Sequence, residues 1–149
     1  MRNSMLKIMV ALVLLALVTA WPSLAQSVTT LAKAEIPFDF VVGQKTLPAG
    51  EYQIFPGNKV NKDILWIKKL DSRAAANMIT FGRNAKRQQA GPYLVFNRYG
   101  SQYFLSQVWT EFDQAGRQAP KSAAEKELIQ AAGLKMASAW PEVVLLQAK

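Results

Sequence analysis

This sequence predicts a mainly β fold: an antiparallel β-sandwich or small barrel of about seven strands, with one α-helix in the C-terminal region. Three observations point there. Apolar and polar residues alternate over several short stretches, which is the period of a half-buried strand. Turn formers such as Pro48, Gly50, Gly57 and Gly100 punctuate those stretches at short spacing. A single stretch, after Pro120, carries helix start and stop signals.

Residues 1–25 have the form of a signal peptide. Arg2 and Lys7 make a basic start, residues 8–18 are an uninterrupted apolar run, and Pro22 breaks it. Ser23 and Ala25 then place small residues at a cleavage site. The apolar run is 11 residues, short of the ~20 that span a bilayer as a helix. Cleavage after Ala25 is expected, with Ala20 as the second choice. Gln26 would then lead the mature chain, and no Cys is present to carry a lipid anchor. The expected location is the periplasm or the medium, with no stable membrane insertion after cleavage.

Residues 26–34 read as a flexible segment and residues 35–149 as a single β-rich domain. Ile36, Phe38, Phe40 and Val42 alternate with their neighbours and predict a first strand, on an edge because Pro37 cannot donate to a ladder. Pro48 and Gly50 make a turn. Strands follow over residues 51–55, 64–70 and 77–81. Residues 82–92 form a polar loop. Residues 93–99 and 102–110 then flank Gly100 and Ser101, a two-residue hairpin turn with Gly first. In that register Phe96 sits opposite Leu105 and Arg98 opposite Tyr103. Leu94, Phe96, Leu105 and Trp109 would share one face; Val95, Tyr99, Phe104 and Val108 the other. A hairpin apolar on both faces is covered on both sides or lines a cavity. Residues 111–120 read as a loop. Ser122 and Glu125 match a reciprocal capping box, opening a helix over residues 123–132. Its inward face would be Ala124, Leu128, Ile129 and Ala132, and Gly133 would stop it. Pro141 precedes a last strand over residues 142–147.

Composition narrows the chemistry. The chain has no His and no Cys. The commonest general base is therefore missing, as are thiolate nucleophiles, zinc–thiolate sites and disulfides. Stability must come from packing. Removing Arg2 and Lys7 lowers the basic count from 18 to 16 against 10 acids, a net charge of +6. Such a surface can attract anionic partners, and it also keeps an exported protein soluble.

Two stretches also carry a likeness. One holds Ile36, Pro37, Phe38, Asp39 and Phe40 with Leu47, Pro48, Ala49, Gly50, Glu51 and Tyr52. The other runs from Phe96, Asn97, Arg98, Tyr99 and Gly100 through Tyr103 to Trp109 and on to Pro120, Lys121, Ser122 and Leu128. In this order they resemble a family of small secreted β-rich proteins of acidobacterial-type soil bacteria. The likeness covers most of the mature chain. No characterised activity is attached to that family, so the resemblance implies export and a β-rich fold and carries no catalytic residue across.

Candidate ligand-binding residues are Arg83, Lys86 and Arg87 in the polar loop, with Arg98, Tyr99, Tyr103 and Trp109 on the hairpin. Arginines interleaved with aromatics can hold sugars or phosphates. Glu111 and Asp113 are a carboxylate pair that could run hydrolysis; a solvated loop after a strand explains them far better. Ser122 is accounted for by capping. The calcium-loop spacing is missing among Asp39, Asp63 and Asp71, so no metal and no cofactor is assigned. The expected function is that of an exported, non-enzymatic β-domain binding a ligand or partner in the cell envelope or outside the cell. The alternatives are a polyanion- or envelope-polysaccharide-binding module using the basic loop, and a carboxylate-dependent hydrolase. Partners stay open between an anionic envelope polysaccharide and a small apolar ligand; no specific nucleic-acid binding is expected. A cavity lined by Phe96, Leu105 and Trp109 would favour the small ligand, and a filled core an interaction surface.

Overall fold

A computed structural model describes residues 30–57, 63–83, 90–111, 116–133 and 141–149. The signal peptide expected over residues 1–25 and the basic residues Lys86 and Arg87 lie outside them. The fold is mainly β, with one helix near the C-terminus. Eleven strands are described: β1 (Ala32–Ile36), β2 (Phe40–Val42), β3 (Lys45–Leu47), β4 (Gly50–Pro56), β5 (Ile64–Lys69), β6 (Ala75–Ile79), β7 (Phe81–Arg83), β8 (Tyr93–Tyr99), β9 (Gln102–Trp109), β10 (Gly116–Gln118) and β11 (Glu142–Gln147). The helix α1 spans Ala123–Gly133.

Eleven strands replace about seven because two expected strands each divide in two and two further strands, β3 and β10, lie where none was expected. The run over residues 36–42 is cut by Pro37, Phe38 and Asp39 into β1 and β2. β1 also begins earlier: Ala32 and Ala34, placed in the flexible segment, are buried strand residues. The Asp39 carboxylate accepts a hydrogen bond from the Ala49 N–H at 2.8 Å, and the Tyr52 hydroxyl donates to the Pro48 carbonyl. These two bonds pin the turn before β4. Gly50 there has φ +146°, which an L side chain rarely adopts, and a Cβ would run into the Lys69 side chain. The strand expected at residues 77–81 breaks at Thr80 into β6 and β7. The loop expected over residues 111–120 contains the strand β10.

β1, β4, β5 and β6 form a four-stranded antiparallel sheet in the order β1-β4-β5-β6. The other seven strands form a second sheet, curled into a half-barrel, in which β2 joins β9 as a parallel neighbour. Alternate residues of both sheets meet between them. Ile36, Tyr52, Ile54, Leu65, Ile67 and Met78 pack against Phe40, Val42, Leu94, Phe96, Leu105 and Val108. On one side the two sheets are stitched together: the backbones of Lys33 in β1 and Lys149 beyond β11 exchange two hydrogen bonds of 2.7 Å. On the other side the chain passes from β6 to β7 through buried Thr80, and among the described strands β6 pairs with β5 alone.

The hairpin register holds at its tip and slips farther along. Phe96 pairs with Leu105 and Arg98 with Tyr103, but Val95 pairs with Gln107. Ser106 is the extra residue of a β-bulge. β9 changes its second neighbour at the same place, from β2 at Tyr103 and Phe104 to β10 at Gln107 and Val108. A one-residue slip exchanges the faces. Val108 therefore joins Leu94 and Phe96 in the main core. Trp109, expected beside them, instead joins Tyr93, Val95 and Leu145 in a second cluster on the opposite face. Both faces of the hairpin are covered.

Candidate functional site

The expected ligand residues that the structure describes, Arg83, Arg98, Tyr99, Tyr103 and Trp109, lie at separate places. Trp109 is 2% exposed, stacked on Tyr93 at 5.4 Å, and its indole N–H donates to Gln107 at 2.9 Å. It is a core residue. Tyr103 stacks on Phe38 at 3.8 Å, with the Arg98 guanidinium 5.4 Å from its ring. Arg98 is also bonded to Glu142 at 3.0 Å and to the Gly100 carbonyl at 2.9 Å, so its charge is already met. Tyr99, next in the strand, points to the other face. Arg83 belongs to β7 and pairs with Gly116 at the Trp109 end of the sheet. Tyr103 and Trp109 are six residues apart on β9, about 20 Å of strand. Arg83 and the hairpin tip are thus at opposite ends.

Tyr99 is part of a polar lock. Its hydroxyl donates to the Glu125 carboxylate at 3.1 Å, and the Asn97 amide donates to the same oxygen at 2.8 Å. Glu125 is 4% exposed. Burial, then the Glu125 charge and hydrogen bond, push the Tyr99 phenol up to about 12. The capping box is thereby corrected. Its first half forms, with the Glu125 N–H donating to Ser122 Oγ at 3.1 Å. The Glu125 side chain turns to the sheet instead of back along the helix. The inward face of α1 is Glu125, Leu128, Ile129 and Ala132, and Ala124 is exposed. Both donors converge on one oxygen of Glu125, and these two bonds tie α1 to β8.

Phe96, Leu105 and Trp109, considered as the lining of one cavity, do not share a face: Phe96 and Leu105 are buried in the main core and Trp109 in the second cluster. The open space lies elsewhere, at the unstitched side of the sandwich. A groove of about 460 Å³ runs beside β6. Residues 43–44 of the β2–β3 turn close one end. Ile64 and residues 77–79 form one wall, and residues 119–123, leading into α1, form the other. Ile79 is 58% exposed although strand-forming and apolar, and it pairs directly with Ile64. Lys121 is the charged residue of the lining. No local pattern in the sequence marks this site, because its residues come from four separate segments. One signal was present: Ile79 and Phe81 alternate with Met78 and Thr80, so both faces of that stretch carry large apolar groups.

No family, no curated protein and no solved structure matches this chain.

Proposed function

We propose that the chain is an exported, non-catalytic β-domain that binds a partner in the cell envelope or outside the cell, and that it does so through the groove beside β6. The groove carries this reading. It is concave, partly apolar and within the size range of ligand sites. The form of residues 1–25 supports export. Sugar or polyanion binding at the hairpin has less support, since Arg98 is bonded to Glu142 and Trp109 is buried. Hydrolysis by Glu111 and Asp113 has less still: Glu111 is exposed after β9, and Asp113 lies outside the described residues.

The test is residue-resolved NMR of the exported chain with three probes: a blocked pentapeptide of alternating Val and polar residues, a heparin octasaccharide, and dodecanoate. Saturable shifts at residues 43–44, 77–79 and 119–123 with any probe are the expected result. Shifts confined to Arg98 and Tyr103, or none at all, would contradict a groove-binding function.

A further inference from the structure

We infer that the groove receives an extended polypeptide segment of the partner, which adds as a strand to the free edge of β6. The inference rests on the groove-binding function proposed above and narrows it to one class of ligand.

The argument begins with the ladder. The Thr80 N–H donates to the Asp63 carbonyl at 2.6 Å, and the Lys69 N–H to the Ala74 carbonyl at 2.9 Å. In an antiparallel pair, the N–H and C=O of one residue point to the same side, and the side alternates along the strand. Ala74, Ala76, Met78 and Thr80 therefore face β5. Ala75, Asn77 and Ile79 turn their backbone groups away from it. Lys45 Nζ donates to the Ala75 carbonyl at 3.4 Å. Among the described residues no hydrogen bond reaches the outward backbone groups of Asn77 or Ile79. These two residues line the groove; the Asn77 carbonyl lies against the Gly43 backbone of the β2–β3 turn, so the edge presents two N–H donors at a two-residue spacing with the Ile79 carbonyl as acceptor.

That repeat matches a polypeptide in extended form and nothing else of comparable size. A pyranose ring or an acyl chain has no such alternation of donor and acceptor. Strand addition to an open edge is a general mode of peptide capture. The exposed Ile79, paired with the half-buried Ile64, offers an apolar platform for an alternate side chain of the incoming strand. Lys121 at the far wall, with no carboxylate among the described residues of the lining, favours an acidic residue at one flank. A second copy of this chain fits poorly: its own β6 would be walled by residues 119–123 in the same way, and the two edges could not meet. The occupant is thus a single extended segment of a partner, β-branched at its centre and acidic at its flank.

The probe is acetyl-Glu-Val-Thr-Val-Glu amide, compared with two N-methylated isomers. One isomer carries methyl groups on both Val nitrogens, the other on the Thr and the second Glu nitrogen. One set of N–H groups faces β6 and the other faces away. One isomer should therefore bind at least about tenfold more weakly, and the other within about threefold of the parent. Ile79→Pro removes an outward N–H without touching the β5 ladder and should weaken the parent peptide by about tenfold. Equal binding of both isomers would overturn strand addition, as would a peptide that fails while heparin or dodecanoate still shifts the groove residues; in that last case the groove-binding function stands. If no probe moves the groove residues, both fail.

Discussion

Trp109 and Gly116 show how single positions decide the packing. The indole lies flat on β10 because Gly116 has no side chain; a Cβ there would stand 2.3 Å from Trp109 Cε2. A stacked ring cannot yield as a lysine tail would. Gly116→Ala should cost about 1–3 kcal/mol, measured by urea unfolding, with a changed Trp fluorescence in the folded state. Gly50→Ala would meet only the flexible end of Lys69, and its penalty would come from φ instead. Tyr52 and Tyr99 are a second pair with a measurable signature. Burial, then Asp71 and Asp39, push the Tyr52 phenol up to about 12, where Tyr99 also lies. An ultraviolet titration should show at least two tyrosines ionising near 12 while the fold persists. Glu125→Gln should bring Tyr99 down, because it removes the charge while keeping an acceptor.

At the level of elements, α1 is held by one buried polar contact more than by its apolar stripe. Glu125→Ala would leave the Asn97 and Tyr99 donors without their acceptor, a cost of about 1–3 kcal/mol. Ser122→Ala should cost about 1 kcal/mol through loss of the N-cap. Both should raise amide exchange in α1 before β4 or β5 are affected. The elements also show what the sequence could reveal. Short apolar or alternating runs bounded by turn formers mark β4, β5, β8, β9 and β11, and the Gly100 turn sets the register at the hairpin tip, because these signals are local. The bulge at Ser106 was hidden, since it answers to a change of neighbour from β2 to β10 that no local pattern records. Trp109 was assigned to the wrong face for that reason alone. β3 and β10 escaped notice because a three-residue strand has too few alternations to show a period. Glu125 looked like half of a capping box; only the sheet below it reveals the other use.

On the scale of the whole molecule, the sandwich is stitched at Lys33 and Lys149 and open at β6. The groove is the place where a closed barrel would have another strand. Its residues come from four segments, so no single stretch of sequence could announce it. Two global consequences follow. Tyr52 and Tyr99 stay neutral in the folded state up to about 12, whereas unfolded tyrosines ionise near 10. Their contribution is complete below pH 10 and is lost as pH rises through 12, because the unfolded state then binds fewer protons. Denaturation midpoints should fall across that window, and less steeply in a Tyr52→Phe, Tyr99→Phe double variant. Expression of the entire chain in a bacterial host should deliver a product that begins at Gln26 outside the cytoplasm; a product retained inside with Met1 intact would contradict export. The most direct measurement is residue-resolved amide exchange along β6. In the free domain, Ala76, Met78 and Thr80 should be protected and Asn77 and Ile79 should exchange fast. Saturating acetyl-Glu-Val-Thr-Val-Glu amide should slow both of the latter by about tenfold or more. Protection of Asn77 and Ile79 in the free domain, or exchange unchanged by the peptide, would contradict an open edge that binds by strand addition.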